Sequence, residues 1–449
     1  SDTDRGVAVG GVDDGHVMTG ITHADASAVQ GTSITLIGSA EANTLVGTGD
    51  DDFFVVLDAL HFSGDRLDGD DGTDTLRFAS TTSGQVLTLN GVLVTHLENV
   101  AIASATGDAS GVTTLGINAA SMKSALVMDG NAGDNALTGT AYADTLTGGD
   151  GHDTIVAGRG ADRVVMDIAA ASIDAADGGG LNEGNELILS GAAAGALVMD
   201  LGAADQITSI GGGTESLRQS GFLHVDASGA TTAMSITGSA GPNRILGGTA
   251  ADLLDGGSGN DTLSGGDGQD TVIGGLGGDS ISMSIEAGDR DQVSGGADSE
   301  GNSLVLTGTA AGTVVLDLAA SSDQLVSIGG VAEGLAQSGF ASVDASAMGG
   351  AAVSVTGSSL ANVLRGTSTA DTLDGGAGAD RLFLVVGGGA YDQLDGGNGN
   401  EGDTLVLVGS PNGELVVDLG AAPGTDQFLS EDGVAEGVTQ SDFQHVDAS

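Results

Sequence analysis

An Asp or Asn recurs at every ninth residue through three stretches of the chain, and no other feature restricts its fold so tightly. Asn135, Asp144, Asp153 and Asp162 form one run, Asn243, Asp252, Asp261, Asp270 and Asp279 a second, and Asn362, Asp371 and Asp380 a third. An earlier run is degenerate, with Asn43 to Asp52 and then Asp65 to Asp74. Two residues after nearly every member stands an aliphatic side chain, as at Leu146, Ile155, Val164, Leu263, Val272, Ile281, Leu373 and Leu382; Ala176, after Asp174, is the weak one. Glycines precede the Asp, most completely as GGxGxD ending at Asp153, Asp261, Asp270, Asp279 and Asp380. Six residues rich in Gly and Asp turn readily, since Gly tolerates positive φ and Asp bonds its own backbone; the next three, with an aliphatic centre, make a short strand. Two such units close one coil of a flattened solenoid, so residue i lies over residue i+18, ~4.8 Å away along a parallel ladder.

A longer repeat is laid over the short one. FLHVDAS (222–228), FASVDAS (340–346) and FQHVDAS (443–449) end successive blocks. Beyond each nonapeptide run the steps change in the same way: Asp162 to Asp174, Asp279 to Asp291 and Asp380 to Asp392 are twelve apart, and the next steps, to Asn185, Asn302 and Asp403, are eleven. Aliphatic tails follow, such as ELILSGAAAGALVMDLGAADQITSI, and read as short strands with glycine turns. They either continue the solenoid or pack on it as a small sandwich. VAEGLAQSGF (331–340) reads as a turn of helix. Residues 9–27 align without gaps to 328–346, so the expected organisation is 1–27, the tail of a preceding unit; 28–121, a degenerate unit; and 122–227, 228–345 and 346–449, three further units. The chain is expected to be a fragment of a longer array.

Composition narrows the function. With 11 Lys plus Arg against 62 Asp plus Glu the formal net charge is −51. Counterion release needs a basic footprint, so nucleic acid is excluded as a general partner, and anionic membranes repel such a chain. No apolar stretch approaches a membrane span, so direct membrane insertion is not expected. There is no Cys, hence no disulfide and no thiolate metal site, and with no Trp and 2% aromatic residues the core must be aliphatic. Val, Ile and Leu spread evenly between the glycines argue against disorder.

Stacking at i+18 sets Asp144 beside Asp162, Asp252 beside Asp270, and Asp261 beside Asp279. Such rows repel unless a hard dication intervenes, and Ca²⁺ suits carboxylate and backbone-carbonyl ligands from flexible turns better than Mg²⁺, which demands a stricter octahedron. GGDGHDTIV, GGSGNDTLS, GGDGQDTVI and GGAGADRLF resemble the RTX (repeats-in-toxin) calcium-binding nonapeptide family, GGxGxDxUx with U a large aliphatic residue.

The resemblance implies an all-β fold: a parallel β-roll or β-solenoid of Gly/Asp-rich nonapeptides, with aliphatic β segments between the runs. It further implies Ca²⁺ ions, on the order of ten, between adjacent turns, and type I secretion from a calcium-poor cytosol. The implied carboxylate ligands are Asp144, Asp153, Asp162, Asp252, Asp261, Asp270, Asp279, Asp371 and Asp380, with Asp52, Asp74 and Asp392 as further candidates. Implied carbonyl ligands lie in the turns of Gly149 and Gly151, Gly257 and Gly259, Gly266 and Gly268, Gly275 and Gly277, and Gly376 and Gly378. Two departures stand out. GRGAD before Asp162 lacks the first Gly and carries Arg159, which is expected to weaken or shift that site, and the thirteen-residue gap from Asp52 to Asp65 breaks register. The enlarged loops GGGLNEGN, GGADSEGN and GGNGNEGD place Glu183, Glu300 and Glu401 where a carboxylate can cap the last site.

Catalytic signatures are missing. Seven His are scattered without HExxH, no GxSxG elbow occurs, the glycine loops lack a Walker Lys, and sugar-binding aromatics are scarce. The reading is a non-catalytic, calcium-binding structural segment of a secreted bacterial protein at the cell surface, in a surface layer, filament or large adhesin. Its partners are calcium and either copies of itself or other surface components. The alternative is the RTX region of a type I secreted enzyme or toxin whose catalytic domain lies elsewhere; an ice-binding solenoid is disfavoured for want of a flat rank of Thr.

Overall fold

The computed structural model describes residues 22–448 apart from 170–172, 181–182, 214–216, 287–288, 297–300, 333, 388–390, 398–401, 412, 421, 423 and 432–437. All its regular elements are β-strands, mostly of three or four residues. This length follows from the repeat: six of nine residues are spent on the turn. The chain divides into two compact units, 1–232 and 233–449.

In the first unit, one ladder runs in parallel through Thr35–Ile37, Phe53–Val56, Thr75–Phe78, Asn99–Ile102, Val127–Asp129, Thr145–Thr147, Arg163–Asp167, Glu186–Gly191 and His224–Ala230. The strands between them in sequence form parallel ladders of their own, including Leu115–Asn118, Ala136–Thr138, Thr154–Val156 and Ala175–Asp177. The second unit repeats the plan, from Arg244–Leu246 and Thr262–Ser264 to Thr404–Gly409 and His445–Asp447 on one ladder. Leu253–Asp255, Thr271–Ile273 and Gln292–Ser294 stack on another. The register is the one the period demands: Leu146 pairs with Val164 and Leu263 with Ile281, each eighteen residues on. Where twelve- and eleven-residue steps intervene the ladder resumes, Ile155 on Ala176 and Val164 on Leu187.

The core lies between the ladders and is one aliphatic column per face. Leu146, Val164, Leu187, Leu263, Ile281 and Leu304 are fully buried, each such side chain contributing about 2 kcal/mol of transfer free energy. Of the two arrangements the sequence left open, the aliphatic tails take the first and continue the sheets of the solenoid. Their first strands, such as Glu186–Gly191, extend the parallel ladder. The next two fold into antiparallel hairpins, Leu197–Asp200 with Ile207–Ile210, Val314–Asp317 with Leu325–Ile328, and Leu415–Val417 with Phe428–Glu431, each with a register shift at the same place. The helical reading of 331–340 is incorrect: Val331–Ala332 and Gln337–Ser338 are strands there. Gly334 and Gly339, the latter at φ +80°, weaken a helix there, whereas neighbouring strands offer backbone partners to 331–332 and 337–338.

Candidate calcium-binding turns

Each turn is built to bring its Asp inward. In the turn 148–153, Gly149 and Gly151 adopt φ of +101° and +113°, a region that side-chain-bearing residues rarely enter. Gly148 is needed for a different reason: a Cβ there would lie 2.1 Å from Asp153 Oδ2, so any side chain would expel the carboxylate. The same pair of positive φ values recurs at Gly257 and Gly259, Gly266 and Gly268, Gly275 and Gly277, and Gly376 and Gly378. The turn of Asp162 keeps it too, at Gly158 and Gly160, so Arg159 does not alter the backbone. In the degenerate block Asp70, at φ +72°, takes the first glycine's place before Gly72 and Asp74.

The carboxylates so placed are buried and half satisfied. Oδ1 accepts the backbone N–H of the Asp or Asn one coil earlier: Asn135 to Asp153 at 2.6 Å, Asp144 to Asp162 at 2.8 Å, Asn243 to Asp261 at 2.7 Å and Asp252 to Asp270 at 2.7 Å. Asp279 and Asp380 accept likewise from Asp261 and Asn362. Oδ2 of Asp74, Asp153, Asp162, Asp261 and Asp270 is buried with no hydrogen-bond partner. Burial pushes all five carboxyls up to about 6, against the lowering effect of the N–H each accepts. A buried acceptor without a donor costs about 1–3 kcal/mol, more when charged. Such an atom recurs turn after turn, and a cation beside it would remove that cost.

Backbone oxygens complete the donor set. The carbonyl of residue two in the preceding turn points at the glycine of the next: a Cβ on Gly149 would meet Asn131 O at 2.3 Å, and one on Gly158 would meet Thr140 O at 2.1 Å. Among the described residues no three His, Cys, Asp or Glu side chains gather into a metal cage, because each turn offers one inward carboxylate and otherwise carbonyls. Carboxylate plus carbonyl oxygen is a calcium donor set; it lacks the nitrogen and sulfur that zinc or copper select.

Not all candidates share this environment. Asp52, Asp144, Asp252 and Asp371 have both oxygens hydrogen-bonded to backbone. Asp392 sits in an enlarged turn, with Oδ1 on the Asp371 N–H and its carboxyl raised by burial to about 7. Asp174 and Asp291, absent from the candidates read off the sequence, occupy the same place in their blocks with the same bonds and are also raised to about 7. The shared twelve-residue step was the signal for them. Glu183 accepts the Gly180 N–H at 3.2 Å, close enough to Asp162 to raise its carboxyl further. Glu300 and Glu401 lie outside the described residues.

The family described as RTX calcium-binding nonapeptide repeat (4 copies) matches residues 35–56, 129–164, 235–263, 246–281 and 356–384. The chain carries RTX calcium-binding nonapeptide repeats. No curated protein matches it. The matched segments are the turn-and-strand runs whose carboxylates point inward, and the RTX turns make this a calcium-binding structural region. The hairpins and the Phe-led block ends fall outside the match.

Proposed function

We propose that the chain is a non-catalytic structural segment of a secreted bacterial protein, in a surface layer, filament or large adhesin at the cell surface, that folds as its RTX turns take up calcium. The units 28–121, 122–227, 228–345 and 346–449 are its modules. Asp74, Asp153, Asp162, Asp261, Asp270, Asp279 and Asp380 are the turn carboxylates of the sites, and Asp174, Asp291 and Asp392 those of the enlarged turns. Bound Ca²⁺ supplies the positive charge that the buried Oδ2 atoms lack. The chain's own residues do the rest: glycines let each carboxylate turn inward, the N–H of the preceding coil fixes Oδ1, and carbonyls close the donor set.

The observation that carries this reading is the row of buried, unpartnered Oδ2 atoms, repeated in both units. In a calcium-poor cytosol those atoms oppose folding, which suits export of an unfolded chain by a type I route. Calcium titration of chelated protein tests it, with circular dichroism and small-angle scattering as readouts. Strand signal should rise and the radius fall together; if neither responds, the calcium-dependent fold is wrong. Electron microscopy with and without calcium then addresses assembly: lattices or filaments are expected at millimolar Ca²⁺, while persistent monomers favour the RTX region of an enzyme or toxin.

A further inference from the structure

The turns fall into two kinds, distinguished by their second residue. In one kind it is a Gly at positive φ, or Asp70. In the other it is Ser, Thr or Asn, and its side chain accepts the N–H two residues on: Asp50 to Thr48, Tyr142 to Thr140 and Thr369 to Thr367, each at 3.0 Å, and Gly133 to Asn131 at 2.9 Å. That local bond holds the second residue's own N–H pointing into the turn. It is donated to the Asp Oδ2, from Thr48 to Asp52 at 2.5 Å, Thr140 to Asp144 at 2.6 Å and Thr367 to Asp371 at 2.7 Å. Gly248 does the same for Asp252 at 2.8 Å, and it is absent from the glycines with positive φ. Oδ1 of the four Asp takes the N–H of the residue eighteen earlier, Ile34, Leu126, Met234 and Val353, at 2.7–2.8 Å.

All four stand second in their runs, directly after Asn43, Asn135, Asn243 and Asn362, whose own turns close in the same way through Ser39, Asn131, Ser239 and Ser358. The family pattern treats every Asp of the repeat alike. Resting on the calcium reading above, we infer that Asp52, Asp144, Asp252 and Asp371 are hydrogen-bond acceptors that close their turns and do not ligate calcium, so each run opens on a pair of turns that needs no ion of its own. A cation at their Oδ2 would face the positive end of an N–H already 2.5–2.8 Å away. These turns give carbonyl oxygen to the next coil, as Thr140 O does beside Gly158. Calcium counts in this chain therefore follow the turns whose second residue has positive φ, not the number of Asp in register.

Counting bound calcium in the whole chain separates ligation from stability. Asp144→Asn, Asp252→Asn and Asp371→Asn should each bind as many ions as the wild type, measured by elemental analysis after equilibration in millimolar Ca²⁺. Asp153→Asn and Asp270→Asn should each bind one fewer. An ion lost in any of the first three overturns the inference, as does a full complement in both of the last two. Failure of a first-group variant to fold in calcium also counts against it, since Asn already occupies the preceding turn of every run. If the wild type binds no calcium, the proposed function fails instead.

Discussion

At the residue scale, the decisive balance is between burial and charge on one carboxylate. Asp153, Asp162, Asp261 and Asp270 titrate near 6 in the folded chain because desolvation outweighs the N–H that each accepts; unfolded, they return to an ordinary value near 3.8. Between about pH 4 and 6 the calcium-free folded state therefore binds more protons than the unfolded one. The stability these groups contribute is fully present below the unfolded value and is lost as pH rises through about 6. Asp174, Asp291 and Asp392 extend that window to about 7. In chelator, strand signal should accordingly increase on going from pH 7.5 to pH 5, the reverse of ordinary acid denaturation. A loss of signal over that range would show that the folded carboxylates are not raised. With calcium present the sign inverts, since protons then compete for the oxygens that bind the ion.

Legibility also changes with position in the turn. The nine-residue step disclosed the inward Asp, the buried aliphatic residue and the coil register, because each rests on stacking at i+18 and every coil obeys it. It did not distinguish Asp144 from Asp153. That difference depends on whether the second residue is Thr140 or Gly149, which turns a single N–H toward the carboxylate or away from it. The hairpins were legible as strands but not as antiparallel pairs.

At the scale of elements, glutamines join the hairpins to the roll. Gln324 donates to Leu318 O and Phe340 O, both at 2.9 Å, and its Oε1 accepts the Phe340 N–H at 2.9 Å. Gln206 repeats this with Leu201 and Phe222. Gln427 holds Phe443 in the same manner. A second glutamine, at 219, 337 and 440, sits inside the column where an aliphatic residue is due and donates to the carbonyl of Asp174, Asp291 or Asp392. It replaces the N–H that a further nonapeptide would bring, and so ends the column where the hairpin interrupts it. DQ and QS recur in the tails, but a Gln in a strand pattern reads as outward-facing, so periodicity alone hides both roles. Gln324→Ala strands three buried backbone groups at about 1 kcal/mol or more each. The calcium-loaded protein should lose about 3 kcal/mol in a denaturant titration; a loss under about 1 kcal/mol would mean water replaces the side chain.

At the scale of the whole molecule, the question is which charges resist folding. Eleven cations cannot balance 62 acids, and ion pairs such as Arg163 with Glu186, 3.2 Å apart on neighbouring strands, offset only a little of the excess. Ions at the seven nonapeptide carboxylates would bring the net charge from −51 only to about −37, so the folded surface stays strongly acidic. Diffuse repulsion and buried, unpartnered oxygens are therefore separate obstacles. Salt at about 1 M shortens the screening length to about 3 Å and removes most of the first, yet sodium chloride gives Oδ2 of Asp153 or Asp261 no partner inside its turn. Chelated protein in 1 M NaCl should contract in small-angle scattering while its strand signal stays near the low-salt value, and calcium should then restore the strands at either salt concentration. Recovery of the full strand signal by NaCl alone would place the switch in the surface charge, and the inward carboxylates would lose the role assigned to them.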